Sequence, residues 1–274
     1  MVRKIARHFI TASILAGAMA GAVAQEPPKT PRDKFIVNGV AAQEGEVPWQ
    51  VALIRSTSSE TDRWQFCGGS LIADQWVLTA AHCVDNSIVM NDATRLDVVA
   101  GTLTYASGGE RVKAEKIIVH DEWNDGNFDF DAALIKLASP VKMGTVVAVA
   151  AENTAVPEGF DIRVSGWGAT AEGAPGSDKL LRVDVPTVSN DTCNKPEAYN
   201  GDITDRMFCA GKDVGGLDSC QGDSGGPAVA KLTESFTLVG VVSWGIGCAR
   251  PLKYGVYTRV SAISKWVSDT MSAN

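Results

Sequence analysis

Histidine is the scarcest reactive side chain in this sequence. Of three, His8 falls in a basic and apolar leader, which leaves His82 and His120 to serve as a base near neutral pH. His120, in KIIVHDEWN, ends an apolar run with no activating neighbour and reads as structural. His82 stands in VLTAAHCV, at the end of another apolar run and directly before Cys83. A disulfide at Cys83 would hold the imidazole rigidly, and a base must be positioned before its pKa matters. A catalytic imidazolium also needs a carboxylate to fix its tautomer and stabilise its charge. FDFDAALIKL offers Asp129 and Asp131, on the same side of an extended chain, and either one could equally be a solvated strand-end residue.

DSCQGDSGGP, residues 218–227, presents a serine boxed in by glycines. Such a run is first of all a turn. Gly222-Asp223-Ser224-Gly225-Gly226 fits the G-x-S-x-G elbow of α/β-hydrolases, but that class needs a histidine after the serine and none follows Ser224. A phosphate-binding loop fails too, because no G-K-[ST] closes it. What survives is a chain order of histidine, aspartate and serine, the makings of a base-activated nucleophile.

The elements that must position these residues are short and β-rich. From Ile36 onward the runs are WQVALI, SLI with QWVLTAA, LDVVAG, KIIVH, AALIKL, IRVSGWG, LLRVDVPTV, LVGVVSWG and GVYTRV, bounded by Gly, Asp, Asn or Pro. Nothing helical separates them, which argues against a parallel α/β sheet and predicts an all-β barrel or sandwich. The C-terminus is the exception: Ser261 is placed to cap a helix in which Ile263, Trp266, Val267 and Met271 recur at helical spacing.

MVRKIARHFITASILAGAMAGAVAQ has a basic start, an apolar stretch and the small residues Ala22-Val23-Ala24, the layout of a secretory signal over residues 1–24. The stretch is too short and too glycine-rich to span a bilayer comfortably. QEPPKTPRDKF, residues 25–35, reads as a linker or propeptide. A secreted or periplasmic protein is expected, and six cysteines behind an export signal imply disulfides, in any of many pairings. No CxxC pair or Cys/His cluster stands out, so no metal and no cofactor is expected. Six Lys/Arg and two Asp/Glu fall in residues 1–35, leaving 19 basic against 30 acidic residues, a net −11, for residues 36–274. That balance disfavours nucleic acid and anionic membranes as partners and suits cationic ones.

TAAHC (79–83), Asp131-Ala-Ala-Leu134, GDSGGP (222–227), SWG (243–245) and GVYT (255–258), with IVNG (36–39) and PWQV (48–51), occur in an order and at separations that resemble the chymotrypsin-like serine proteases, and within them the trypsins. The resemblance covers residues 36–274. It implies two six-stranded antiparallel β-barrels of the chymotrypsin fold, about 36–140 and about 141–274, the second ending in an α-helix. It implies Ser224 as nucleophile, His82 as base, Asp131 rather than Asp129 as the orienting carboxylate, and Ser243 as that carboxylate's support. The N–H groups of Gly222 and Ser224 would form the oxyanion hole. Asp218 would be the floor of a pocket for Arg or Lys, with Ser219, Ser243, Trp244, Gly245 and Gly255 around the substrate. The cysteines would pair as Cys67–Cys83, Cys193–Cys209 and Cys220–Cys248, a small set similar to that of bacterial members.

The implied product is a secreted endopeptidase made as a zymogen, a monomer whose partners are protein or peptide substrates and protein inhibitors. The alternative is a non-catalytic homologue that binds a protein surface. By register, Ile36 would become the new amino-terminus and pair with Asp223. Phe35 departs from the Arg or Lys that usually precedes that residue, so cleavage by a protease preferring large apolar residues is expected. Tyr254 before Gly255 is similar to the sodium-responsive branch, and no carboxylate-bearing calcium loop follows His82. Asn190-Asp191-Thr192 is a glycosylation sequon.

Overall fold

The computed structural model describes residues 36–274; the expected signal and propeptide, including Phe35, lie outside that range. Gln50–Arg55, Gln65–Ala73, Trp76–Thr79, Leu96–Ala100, Glu110–Val119 and Ala133–Leu137 form a closed antiparallel barrel. Gln50–Arg55 closes the ring by pairing with both Gln65–Ala73 and Leu96–Ala100. The second barrel consists of Asp161–Gly166, Leu181–Val188, Met207–Ala210, Pro227–Ala230, Thr237–Trp244 and Gly255–Arg259. It closes where Leu181–Val188 pairs with Met207–Ala210 on one side and Asp161–Gly166 on the other. These are the two six-stranded antiparallel barrels of the chymotrypsin fold.

Side-chain pattern accounts for the strands. In LRVDVPTV, Leu181, Val183, Val185 and Thr187 point inward while Asp184 is exposed, the period of two that a strand with one wet face requires. VALI, by contrast, is buried at every position, as a run covered on both faces must be. Met207–Ala210 and Pro227–Ala230 escape the sequence reading because their four residues include no run of branched aliphatics, and one begins with proline. Two-residue strands at Val40–Ala41 and Ala148–Val149 also pair with the second barrel, the latter in parallel.

The C-terminal helix spans Val260–Ala273 and buries Ile263 and Val267, with Trp266 and Met271 packed at the core's edge. Ser261 does not cap it. The helix follows directly on Gly255–Arg259, Arg259 holds the cap position with no side-chain bond, and Ser261 lies buried in the first turn.

All six cysteines are paired: Cys67–Cys83 within the first barrel, Cys193–Cys209 and Cys220–Cys248 within the second. Hydrogen bonds cross the crevice between barrels. Ser165 Oγ donates to Gln50 Oε1 at 2.7 Å, Trp167 Nε1 to the Leu103 carbonyl at 3.1 Å, and Thr258 Oγ1 to the Asp131 carbonyl at 2.7 Å.

Candidate active site

His82 lies in a single helical turn, Ala81–Val84, that follows strand Trp76–Thr79. Two devices fix this turn. Cys83 is tied to Cys67 on the neighbouring strand, and Asn86 accepts from the N–H groups of Ile88 and Val89 while donating to the carbonyls of His82 and Cys83. The Asn86 support was not read from sequence; an asparagine four residues past a candidate base is its only trace.

Asp131 is fully buried, and its carboxylate is saturated by donors. Oδ1 accepts the His82 backbone N–H at 3.0 Å; Oδ2 accepts His82 Nδ1 at 2.7 Å and the Ser243 hydroxyl at 2.5 Å. A carboxylate bonded to Nδ1 leaves Nε2 as the ring atom facing the cleft. Asp129 is elsewhere. It pairs with Arg206 at 2.5 Å and accepts from Thr204 Oγ1 at 2.8 Å. The two aspartates do not share a side of an extended chain, because Phe128 and Phe130 adopt left-handed φ of 59° and 53° and fold the segment into turns. His120 is buried, stacked on Phe130 and tilted against Trp266, and burial holds its pKa below the usual value.

Ser224 faces His82 across a cleft of about 280 Å³ that both residues line. No hydrogen bond joins its Oγ to the His82 ring, whose Nδ1 is taken by Asp131. Around Ser224 the loop backbone is mostly engaged: Asp223 N–H donates to Cys220, Gly225 N–H to Val242 and Gly226 N–H to Asp223. The N–H groups of Gly222 and Ser224 find no acceptor among the described residues. Gly222 sits at φ of +94°, a conformation that glycine adopts without penalty.

The same cleft runs down to Asp218 and is lined by Ser219, Ser243, Trp244, Gly245 and Gly255, together with Phe128, which sequence reasoning did not single out. Phe128 lies 5.7 Å from His82 and 6.4 Å from Trp244, ring to ring. Asp218 is only 4 % exposed. Its Oδ2 accepts the Ala249 N–H at 2.9 Å, whereas Oδ1 is buried without a partner. Burial pushes its pKa up to about 7. Gly255 is what lets the carboxylate lie there, since a Cβ at that position would come within 2.6 Å of Oδ1. At Gly245 a Cβ would meet nothing closer than 3.7 Å, so that position is simply open.

Asp223 is fully buried beneath the serine, where it accepts N–H bonds from Gly168 at 2.8 Å and Cys220 at 2.9 Å. No cation lies against it among the described residues, and burial pushes its pKa up to about 6. The Ile36 side chain is buried in the main core. Tyr254 donates its hydroxyl to Asp213 at 2.9 Å, and its carbonyl accepts the Tyr199 hydroxyl. Among the described residues, the one grouping at metal-ligand proximity is Cys67, His82 and Cys83; its two sulfurs are bonded to each other and offer no thiolate. No described helix is long and apolar enough to cross a membrane.

A family model described as Trypsin matches residues 36–267. The chain is 43 % identical over 240 residues to Trypsin Blo t 3 of Blomia tropicalis, covering 85 % of each chain. It is 39 % identical over 270 residues to Trypsin 5G1 of Aedes aegypti, covering 95 % of this chain and 96 % of that one. Serine protease 1 of Rattus norvegicus is 41 % identical over 265 residues, covering 96 % and 99 %. The geometry of His82, Asp131 and Ser224 thus sits in a sequence matched along most of its length, and the chain belongs to the trypsin family of serine proteases.

Proposed function

We propose that this protein is an endopeptidase that cleaves after Arg or Lys. The observation that carries the specificity is the half-satisfied carboxylate of Asp218 at the end of the cleft. A buried carboxylate with one oxygen unpaired is unfavourable until a cationic side chain enters and pairs with it. The Tyr257 hydroxyl lies on the same side of Gly255 as Asp218 Oδ1 and is also buried without a partner.

In this reading Ser224 Oγ attacks the scissile carbonyl and His82 Nε2 takes its proton, later delivering it to the leaving amine. Asp131 keeps Nδ1 protonated and stabilises the imidazolium, with Ser243 saturating the same carboxylate oxygen. The carbonyl oxygen, as it gains charge, is received by the unengaged N–H groups of Gly222 and Ser224. Water then resolves the acyl-enzyme by the same proton path in reverse.

Activation is proposed to proceed by cleavage after Phe35, freeing Ile36 as an ammonium that pairs with Asp223. A fully buried carboxylate held only by two amide N–H groups supports this, because such a charge is costly without a cation. The mature domain is then residues 36–274, preceded by an export signal and a short propeptide, and the protein acts outside the cytoplasm, where its three disulfides persist. Kinship with bacterial trypsins rests on that disulfide set alone; the three relatives above are animal proteins. Tyr254 makes a sodium response worth measuring in sodium against choline salts.

The deciding experiment is cleavage profiling on a peptide library with the Ile36-terminated form, alongside Asp218→Ser and Ser224→Ala. An Arg/Lys preference lost in Asp218→Ser, and fluorophosphonate labelling lost in Ser224→Ala, are expected. Absence of labelling in the unsubstituted protein would favour a non-catalytic binding protein instead. Amino-terminal sequencing checks the activation site.

A further inference from the structure

Gln65 reaches from one barrel to the backbone of the other. Its Nε2 donates to the Gly222 carbonyl at 2.7 Å. Its own strand, Gln65–Ala73, holds the same loop at a second point, where Gly68 N–H donates to the Ser224 carbonyl at 2.7 Å. The strand is irregular where Gln65 sits: Leu53 pairs with Cys67 but Ile54 with Gln65, so Phe66 is bulged out of register. A bulge of this kind re-aims the side chain beside it.

The contact bears on the two unengaged N–H groups. They belong to the peptide planes on either side of the plane that joins Gly222 to Asp223. That middle plane is gripped at both ends: its carbonyl by Gln65, its N–H by the Cys220 carbonyl at 3.0 Å. Without Gln65 only the Cys220 grip remains, and glycine at 222 sets little rotational preference of its own.

We propose that Gln65 is a positioning residue for the reaction. By clamping the peptide between the two donors, it keeps both N–H groups aimed at the oxygen that gains charge in the transition state. This rests on the reading of Gly222 and Ser224 as the oxyanion donors. Gln65 itself does not line the substrate cleft. As a neutral amide it also does not titrate, so the clamp holds across the working pH range.

The test compares Gln65→Met and Gln65→Glu with the unsubstituted enzyme on an arginine anilide, using two inhibitors. Benzamidine fills the pocket above Asp218 and develops no oxyanion. A peptidyl argininal adds covalently: the Ser224 Oγ–carbon bond forms, the carbonyl π pair moves onto oxygen, and the hydroxyl proton passes to His82. Both variants are expected to lose kcat and argininal affinity together by about tenfold, less than the ~10²–10³ for loss of a donor itself. KM and benzamidine affinity stay unchanged. Gln65→Asn keeps the amide but falls one carbon short, and it is expected to show the same split. Because Gln65 is only half-buried and pairs with Ile54 through its backbone, these variants should fold, which thermal unfolding checks. Unchanged argininal affinity, or equal loss of both inhibitors, overturns the proposal. If the unsubstituted enzyme forms no argininal adduct, the oxyanion reading falls first; if it does and the variants match it, only the role of Gln65 falls.

Discussion

Asp218 commits one carboxylate oxygen to Ala249, whose N–H it accepts at 2.9 Å, and leaves the other buried and unpaired. The protein's own fold thus half-satisfies the group that would choose its substrate.

With its pKa pushed up to about 7, Asp218 is increasingly neutral below that pH in the free protein, while a bound cation favours the ionised form. Benzamidine affinity should therefore be flat above pH 7 and fall as pH drops below it, by up to about tenfold per unit. Calorimetry in two buffers should detect proton release on binding below pH 7. In Asp218→Asn the binding should be weak and the slope gone; a slope that persists there would assign the titration to another group.

Asp223 gives a second dependence, on stability. Its folded pKa, pushed up to about 6 by burial, lies above the ordinary aspartate value near 4. The folded state therefore binds the extra proton, and stability should fall as pH rises through that window. Asp223→Asn should remove this component, about 3 kcal/mol at pH 7. Thermal unfolding of the uncleaved protein from pH 4 to 7 tests it, and equal pH slopes with and without the substitution would refute it.

Ser243→Ala removes a donor to the buried Asp131 carboxylate without touching the cleft's depth. A hydrogen bond to a charged group is worth about 1.5–3 kcal/mol, so kcat should fall about tenfold or more with KM nearly constant. A change confined to KM would mean that Ser243 matters as cleft lining instead.

Gly245 and Gly255, both lining the pocket, should respond differently. Gly255→Ala forces a methyl against Asp218 Oδ1 and, at 3.0 Å, the Tyr257 hydroxyl, so benzamidine binding should collapse. Gly245→Ala meets only ordinary contacts and should narrow the pocket while sparing stability. Equal effects on binding and melting from both would contradict this assignment of roles.

Asn190 tests the sequon. Its side-chain amide already donates to the carbonyls of Thr204 and Met207, at 3.0 and 3.2 Å. Expression in a glycosylating host should leave it unmodified, and a mass increment on its peptide would show that the loop opens.

How much was readable in advance depended on the kind of signal. The long Val/Ile/Leu runs and a chain order of histidine, aspartate and serine were legible because period and spacing carry them. Choosing Asp131 over Asp129 needed the family resemblance; chain geometry alone misleads, since nothing about Phe128 or Phe130 announces a left-handed backbone. Ser261 looked like a cap because serine usually is one, but a strand that runs straight into a helix leaves it no such place. Gln65 and Asn86 act through single contacts with distant or neighbouring carbonyls, and no periodicity records those.

Each of the three disulfides closes a short loop inside one barrel, with partners 16, 16 and 28 residues apart, and none ties barrel to barrel. The candidate site is nevertheless split, with His82 and Asp131 in one half and Ser224 in the other. A single nick between Leu137 and Asp161 would therefore yield two fragments that denaturant separates without any reductant. Each would keep its own disulfides intact, and reassociation alone would govern the return of activity. The protein can in this sense be treated as a heterodimer that happens to be encoded in one chain.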